Sequence, residues 1–287
     1  MANFGNISDF QLDANCQPLS FIVSWNIKPD QFVNTENLRN AITAEGLFSK
    51  VPMPTSRTSI VRACKSCVGY LNSVSRKEGK YDFKKVEDDA VVCKYTVYRV
   101  ATNKSIKDLN MDISSHLVWS KGGTGIDCDG AEATRLHDLY IQNLNNCNDD
   151  DLRVFARNVL KDECRGISYH EGVYIVSPKC LNIIVKLDSL LKRFDLGHLD
   201  VIPLYPVAGQ VEMITEKFVI HMQQKMSEVR EKLSTKSRSD AFVTMNNDVV
   251  DMNTLMNDYK EIVKDVAVFS NLKKEMDSLA NDIALKM

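Results

Sequence analysis

Ala90-Val91-Val92-Cys93-Lys94-Tyr95-Thr96-Val97-Tyr98-Arg99-Val100-Ala101 is the stretch on which the fold turns. β-Branched and aromatic residues fill it, and their side chains alternate. Val91, Cys93, Tyr95 and Val97 belong to one face, Lys94, Thr96 and Tyr98 to the other. A period of two with one apolar and one half-polar face is the pattern of a strand whose sheet is packed on one side only. Ser115-His116-Leu117-Val118-Trp119 reads as its partner. Towards the N-terminus, Ser-Phe-Ile-Val-Ser-Trp-Asn-Ile at 20–27 is a second strand, ended by Lys28-Pro29-Asp30. A helix is expected from Asn34, a good N-cap residue, with Leu38, Ala41 and Ile42 on one face and Gly46 at the C-cap. A second is expected from Thr55, where Ile60, Cys64, Cys67 and Leu71 fall at helical spacing. Residues 75–89 are polar and highly charged and read as an exposed loop. This β-α-α-β-β order describes an α+β fold and not a repeating β-α-β one.

The chain changes character after Lys121-Gly122-Gly123-Thr124-Gly125. Asp129 and Glu132 are spaced like an N-cap and its third-position partner and would open a helix through Asn145. Asp149–Asp151 start another, whose dipole favours negative charge there, and Leu152, Phe155, Ala156, Val159 and Leu160 form its apolar stripe. Ile167-Ser168-Tyr169 and Val173–Val176 flank a glycine-bearing turn and read as a hairpin. Ser177-Pro178 is a cap followed by a proline at the first helical position, and Leu181, Ile184, Leu187 and Leu191 stripe the helix it begins. A closing strand at 199–205 contains Pro203, which argues for a sheet edge. From Gly209 onward no strand is expected. Val211, Ile214, Phe218, Met222, Val229 and Leu233 step at helical spacing, residues 234–248 form a polar break, and Met252, Leu255, Tyr259, Ile262, Val266 and Phe269 keep a heptad rhythm. That rhythm resumes through Ile283 after a short step that resembles a stammer. The expected division is a basic α+β lobe (1–121), a second α+β lobe (122–207) and a helical arm (208–287). The arm is expected to fold as a hairpin or coiled coil, pairing with another chain being the alternative.

With 44% hydrophobic and 26% charged residues in a chain of 287, wholesale disorder is excluded. No apolar run approaches the roughly 18 residues of a membrane span, and the first residues lack a signal peptide's basic head and apolar run. The expected location is the cytoplasm. The eight cysteines, without an oxidising destination, are expected to be reduced. Cys64-Lys65-Ser66-Cys67 lacks the second pair a structural zinc site needs, and its cysteines lie on an apolar helical stripe, where free cysteine acts as a small hydrophobe. The lysine of the 121–125 loop precedes its glycines, unlike a phosphate-binding loop. No catalytic residue, metal or cofactor is assigned.

The net charge of −2 hides a basic island: residues 50–121 hold 14 Lys and Arg against 7 Asp and Glu. Arg57, Arg62, Lys65, Arg76, Lys77, Lys84, Lys85, Lys94 and Arg99, together with Lys80, Lys104 and Lys107, are interleaved there with Tyr70, Tyr81, Phe83, Tyr95, Tyr98 and Trp119. Cations beside flat rings suit single-stranded nucleic acid, whose phosphates need charge and whose bases need stacking partners. The first nine of these cations and Tyr98 are the candidate binding residues.

The hairpin Gly172-Val173-Tyr174-Ile175-Val176-Ser177-Pro178, the helix and short strand after it, and the heptad-bearing arm resemble uncharacterised phage and bacterial proteins. Those proteins carry a Gly-Val-Tyr-(Ile/Phe)-Val hairpin and a C-terminal helical arm. The opening Phe21-Ile22-Val23-Ser24-Trp25 strand followed by a helix fits the same pattern. The resemblance implies a phage or mobile-element origin, hence the cytoplasm of a host cell, and supplies no activity. The expected function is non-catalytic binding of single-stranded DNA or RNA through the basic lobe. The alternative is a structural or host-interaction protein that works through its arm.

Overall fold

The computed structural model describes residues 17–74, 80–88, 92–100, 111–120, 126–130, 132–235, 239–263 and 265–286. Strands β1 (Ser20–Ile27) and β2 (Phe32–Asn34) come first, then helices α1 (Thr35–Glu45) and α2 (Ser56–Val74). Strands β3 (Lys80–Asp88), β4 (Val92–Val100), β5 (Met111–Ser120) and β6 (Ile126–Gly130) follow. Next are α3 (Ala133–Asn145), β7 (Asn146–Asn148), α4 (Asp149–Asn158) and a π-helical turn, Val159–Glu163. A hairpin of β8 (Ile167–His170) and β9 (Val173–Val176) leads through a short 3-10 turn to α5 (Leu181–Arg193) and β10 (Gly197–Leu204). Helices α6 (Ala208–Thr235), α7 (Ser239–Tyr259) and α8 (Val266–Ala284) close the chain, an α+β protein with antiparallel sheets. Among the described residues no helix is long and apolar enough to cross a membrane.

The contacts divide the chain into two units. One takes the chain up to Pro29, residues 40–50 and everything from Leu152 on; the other takes 30–39 and 51–151. This cuts across the three consecutive segments expected from the sequence, and strand pairing is the reason. In the first unit the sheet order is β10-β1-β9-β8, so the first strand sits between strands from the second half of the chain. On one edge of β1, Ser20 lies opposite Leu204 and Ile27 opposite Gly197; on the other, Phe21 lies opposite Val176. β10 is an edge strand, which is why Pro203 is tolerated there. Gly197 has φ +145, and a Cβ at this position would lie 2.0 Å from the Asn26 carbonyl oxygen, so only glycine fits the close pairing. Asp188, buried on α5, accepts the Leu199 backbone N–H at 2.8 Å and so ties the helix to β10.

Ile167, Ile175 and Leu204 on one face of this sheet pack into the apolar stripes of α6, α7 and α8, with Phe218, Met222 and Met276 at the centre. Tyr259, buried, stacks its ring on Phe218 with centroids 5.5 Å apart and donates its hydroxyl to the Ile175 carbonyl at 3.2 Å. The C-terminal part thus consists of three helices, not a two-helix hairpin. The expected polar break shrinks because α7 begins at Ser239 and buries Phe242, Met245 and Val249. The heptad run from Met252 is interrupted after Tyr259, where the Asp265 carboxylate accepts the Ala267 and Val268 N–H groups, both at 3.0 Å, and opens α8.

In the second unit β3, β4, β5 and β6 form an antiparallel sheet in chain order. Helices α2 and α3 pack on one face, through Ile60, Cys64, Cys67 and Leu71 against Tyr95, Val97, Leu136 and Tyr140. Two expectations are corrected. Residues 80–88 are a strand and not a loop: Asn72 of α2 donates to the Tyr81 carbonyl at 3.0 Å and accepts its N–H at 2.7 Å, which fixes the start of β3. Asp129 belongs to β6, and the N-cap position of α3 is Glu132, whose side chain makes no cap hydrogen bond and accepts from Arg135 Nε at 3.0 Å. The Asn34 cap is as expected, its side chain accepting the Glu36 and Asn37 N–H groups at 3.1 Å, and Gly46 follows α1 at φ +67.

The interrupted heptad separates two residues that the pattern alone treats alike. Ile262 is 4% exposed and Val266 80% exposed. Ile262→Asp should destabilise the first unit by several kcal/mol because it buries an unpaired charge, whereas Val266→Asp should change stability by no more than about 0.5 kcal/mol. Urea unfolding followed by circular dichroism checks both; equal effects would refute the three-helix packing.

Candidate nucleic-acid interface

Alternation along β3 and β4 sorts the basic island. Tyr81 and Phe83 of β3 point with Tyr95 and Val97 of β4 into the core under α2 and α3. The intervening residues therefore face away from the helices. Asp82 lies opposite Tyr98, and Lys84 opposite Thr96. On this outer face Lys84 holds its ammonium 5.7 Å from the centroid of the Tyr98 ring, within the range of a cation–π contact. The Tyr98 phenol is raised above its ordinary pKa, by desolvation first and then by the Asp82 carboxylate, to which it is hydrogen-bonded. Lys94, half-buried, continues the same face two residues before Thr96, and Lys80 lies on it at the start of β3. The outer face thus offers a ring anchored through its hydroxyl, flanked by Lys80, Lys84 and Lys94.

The other candidates are not brought to this face. Register sets Lys85 opposite Tyr95 and Arg99 opposite Tyr81, which puts both on the helix side. Arg57 and Lys65 are exposed along α2, on the far side of the sheet from Tyr98. Arg62 is committed to structure: its guanidinium donates to both oxygens of Asp151, each at 2.8 Å. That fork raises the Arg62 pKa, and it joins α2 to the first turn of α4, where Asp151 also accepts the Asn148 N–H at 3.1 Å. Arg76, Lys77 and the 121–125 loop lie outside the described residues. Tyr81, Phe83 and Tyr95 serve packing, and the Arg135 guanidinium lies 3.6 Å from the centroid of the Tyr70 ring.

Asp82 is missed by the sequence reading because residues 75–89 read as an exposed loop, and the same reading leaves Lys80, a cation of the basic island, out of the candidate site. The signal was there in Lys80-Tyr81-Asp82-Phe83-Lys84, a strict polar–aromatic alternation. Cys64 and Cys67 are both buried in the core under the sheet, and burial pushes the Cys67 thiol up to about 11, reinforced by Glu132. In this setting Cys67 packs as a small hydrophobe. Cys64, Cys67, Cys128, Cys147, Cys164 and Cys180 form no disulfide, and no group of three or more His, Cys, Asp or Glu among the described residues could hold a metal ion.

If Arg62 is structural, its removal acts on stability and not on binding. Arg62→Ala leaves the nearly buried Asp151 carboxylate without its partner, and about 3 kcal/mol should be lost. Lys65→Ala, on the exposed side of the same helix, should stay within about 0.5 kcal/mol. Chemical denaturation of the two variants makes the comparison, and an unchanged midpoint for Arg62→Ala would exclude the structural role.

The chain belongs to a family of unknown function, DUF6744, whose model matches residues 19–285. The match runs from β1 to α8, so the family embraces both units. No curated protein and no solved structure matches the chain.

Proposed function

We propose that the second unit binds single-stranded nucleic acid over the outer face of its four-stranded sheet, as a non-catalytic protein of phage or mobile-element origin. The observation that carries this reading is the Lys84 ammonium held over the Tyr98 ring, on the sheet face opposite α2 and α3. A base stacked on that ring would bring its phosphate within reach of Lys84 or Lys94, and the ammonium would exchange a weak ring contact for a charged one. Stacking of this kind tolerates any base, because every base has a flat face. The interaction-protein alternative loses part of its motive, since the apolar stripes of α6, α7 and α8 are consumed within their own unit.

Cations and ring should fail differently. The joint change of Lys84 and Lys94 to Glu should weaken binding to every sequence and flatten its dependence on salt, since fewer counterions are released. Tyr98→Ala should cost about 1–3 kcal/mol on single strands with the salt slope nearly unchanged. Fluorescence anisotropy with labelled single-stranded DNA and RNA across a salt series reads both. A wild-type protein that binds neither strand at low salt overturns the proposal.

A further inference from the structure

A cavity of about 220 Å³ opens in the first unit where the π-helical turn meets α6 and α7. Lys161 and Asp162 enter it from the π turn, Arg165 from the residue pair that follows the turn, and His221 and Lys225 from successive turns of α6. Asp248 and Asp251 come from α7, beside an apolar wall of Met252 and Leu255. Two of the three carboxylates are already engaged: Asp251 accepts from Arg165 Nε at 3.3 Å, and Asp248 from Lys232 Nζ at 2.9 Å. Among the described residues Lys161 and Lys225 form no ion pair, so two ammonium groups and one carboxylate, Asp162, are left to face the space. The backbone is shaped to deliver these groups. Arg165 adopts φ +49, and a Cβ on Gly166 would meet the Leu160 carbonyl at 2.6 Å. A left-handed non-glycine residue costs free energy that the surrounding packing must hold in place, and π turns of this kind occur frequently at functional sites.

We propose that this cavity binds a small phosphate monoester, its dianionic phosphoryl group held between Lys161, Lys225 and the His221 imidazole, and its carbon substituent against Met252 and Leu255. Charge, size and polarity argue for it together. A water's share of liquid volume is roughly 30 Å³, so the space exceeds one solvent molecule several times over and accommodates a phosphoryl group with a small substituent. The two unpaired ammonium groups match two negative charges, and the remaining donors of Arg165 lie alongside. His221 supports the assignment: burial first, then the nearness of Lys225 and Lys161, lowers its pKa from 6.5 to about 4, so the imidazole is neutral in the empty cavity. A phosphate group placed among the lysines reverses their effect and favours the imidazolium, so ligand binding raises the pH at which His221 takes up its proton. The same lowering fixes the pH dependence of the empty protein. The unfolded chain binds this proton at a higher pH than the folded one, so stability is lost as pH falls from 6.5 towards 4.

The test is NMR of the His221 ring in the full chain, at constant ionic strength set with sodium chloride. Titration with inorganic phosphate should give saturable shifts and move the His221 midpoint upward by at least one pH unit. Compared well above the second phosphate pKa of about 6, dimethyl phosphate, a monoanionic diester that represents a nucleic-acid backbone, should bind at least tenfold more weakly than phosphate. Lys161→Ala, which removes an exposed side chain and leaves the core untouched, should weaken phosphate binding at least fivefold, and Lys225→Met should do the same while keeping the aliphatic stem. An unmoved His221 midpoint, equal affinity for the diester, or undiminished phosphate binding by both folded variants would each overturn the proposal.

Discussion

Strand β1 is hydrogen-bonded along both edges, by β10 on one side and β9 on the other. Much of the rest follows from that double pairing. A strand placed at the centre of a sheet must satisfy its register twice, and a slip of one residue would carry Phe21 and Val23 from one packed face to the other. Both faces are occupied: Phe21 and Val23 are fully buried, and Ile22 packs against the cluster of the three C-terminal helices. The second unit is therefore threaded, in sequence, between strands that must find each other across it. Non-local pairing of this kind closes long loops before any contact rewards it, so the sheet of the first unit is expected to form late in folding. Gly197, whose missing side chain lets β10 approach Asn26, and Asp188, which ties α5 to the same strand, are the local devices that make the approach fit.

How much of this was legible in the sequence depends on whether the deciding interaction was local. The Asn34 cap, the Gly46 stop, the hairpin about Gly172 and the strand at 92–100 are short-range chemistry, and each stands where the residues put it. The losses came where a solvated face disguised a period. Lys80, Asp82 and Lys84 made β3 look like a charged loop although Tyr81 and Phe83 alternate with them. Three buried residues, Phe242, Met245 and Val249, sustain the first half of α7 among Asn, Asp and Thr that suggested a break. The division into units could not be read at all, because it depends on which distant strands pair with β1 and no single stretch encodes that.

The candidate interface shows the same limit from the side of electrostatics. Proximity of cations and rings along the chain describes three different arrangements equally well. Arg135 lies over Tyr70 and joins α3 to α2; Arg62 forks onto Asp151 and joins α2 to α4; Lys84 lies over Tyr98 on an outer face. The first two are consumed by packing between elements, where a planar guanidinium with several donors has the advantage over an ammonium. The third leaves a compact, easily rehydrated charge at the surface. A count of basic residues along the chain therefore overstates the positive face available to a ligand.

The outer face of the β3–β6 sheet and the cavity beside the π turn belong to different units and use different physics. On the sheet, charge is exposed and screened, so its contribution falls steeply with salt. In the cavity the imidazole of His221 is held neutral by burial first and then by the nearness of Lys225 and Lys161, so its response is read through pH. Loss of one site through mutation should consequently leave the other's salt and pH behaviour intact. The left-handed Arg165 lies at the cavity and has no bearing on the sheet. The two proposed surfaces are thus separable in one protein sample: raising salt at fixed pH should act on the sheet, and lowering pH towards 4 at fixed salt should act on the cavity through His221.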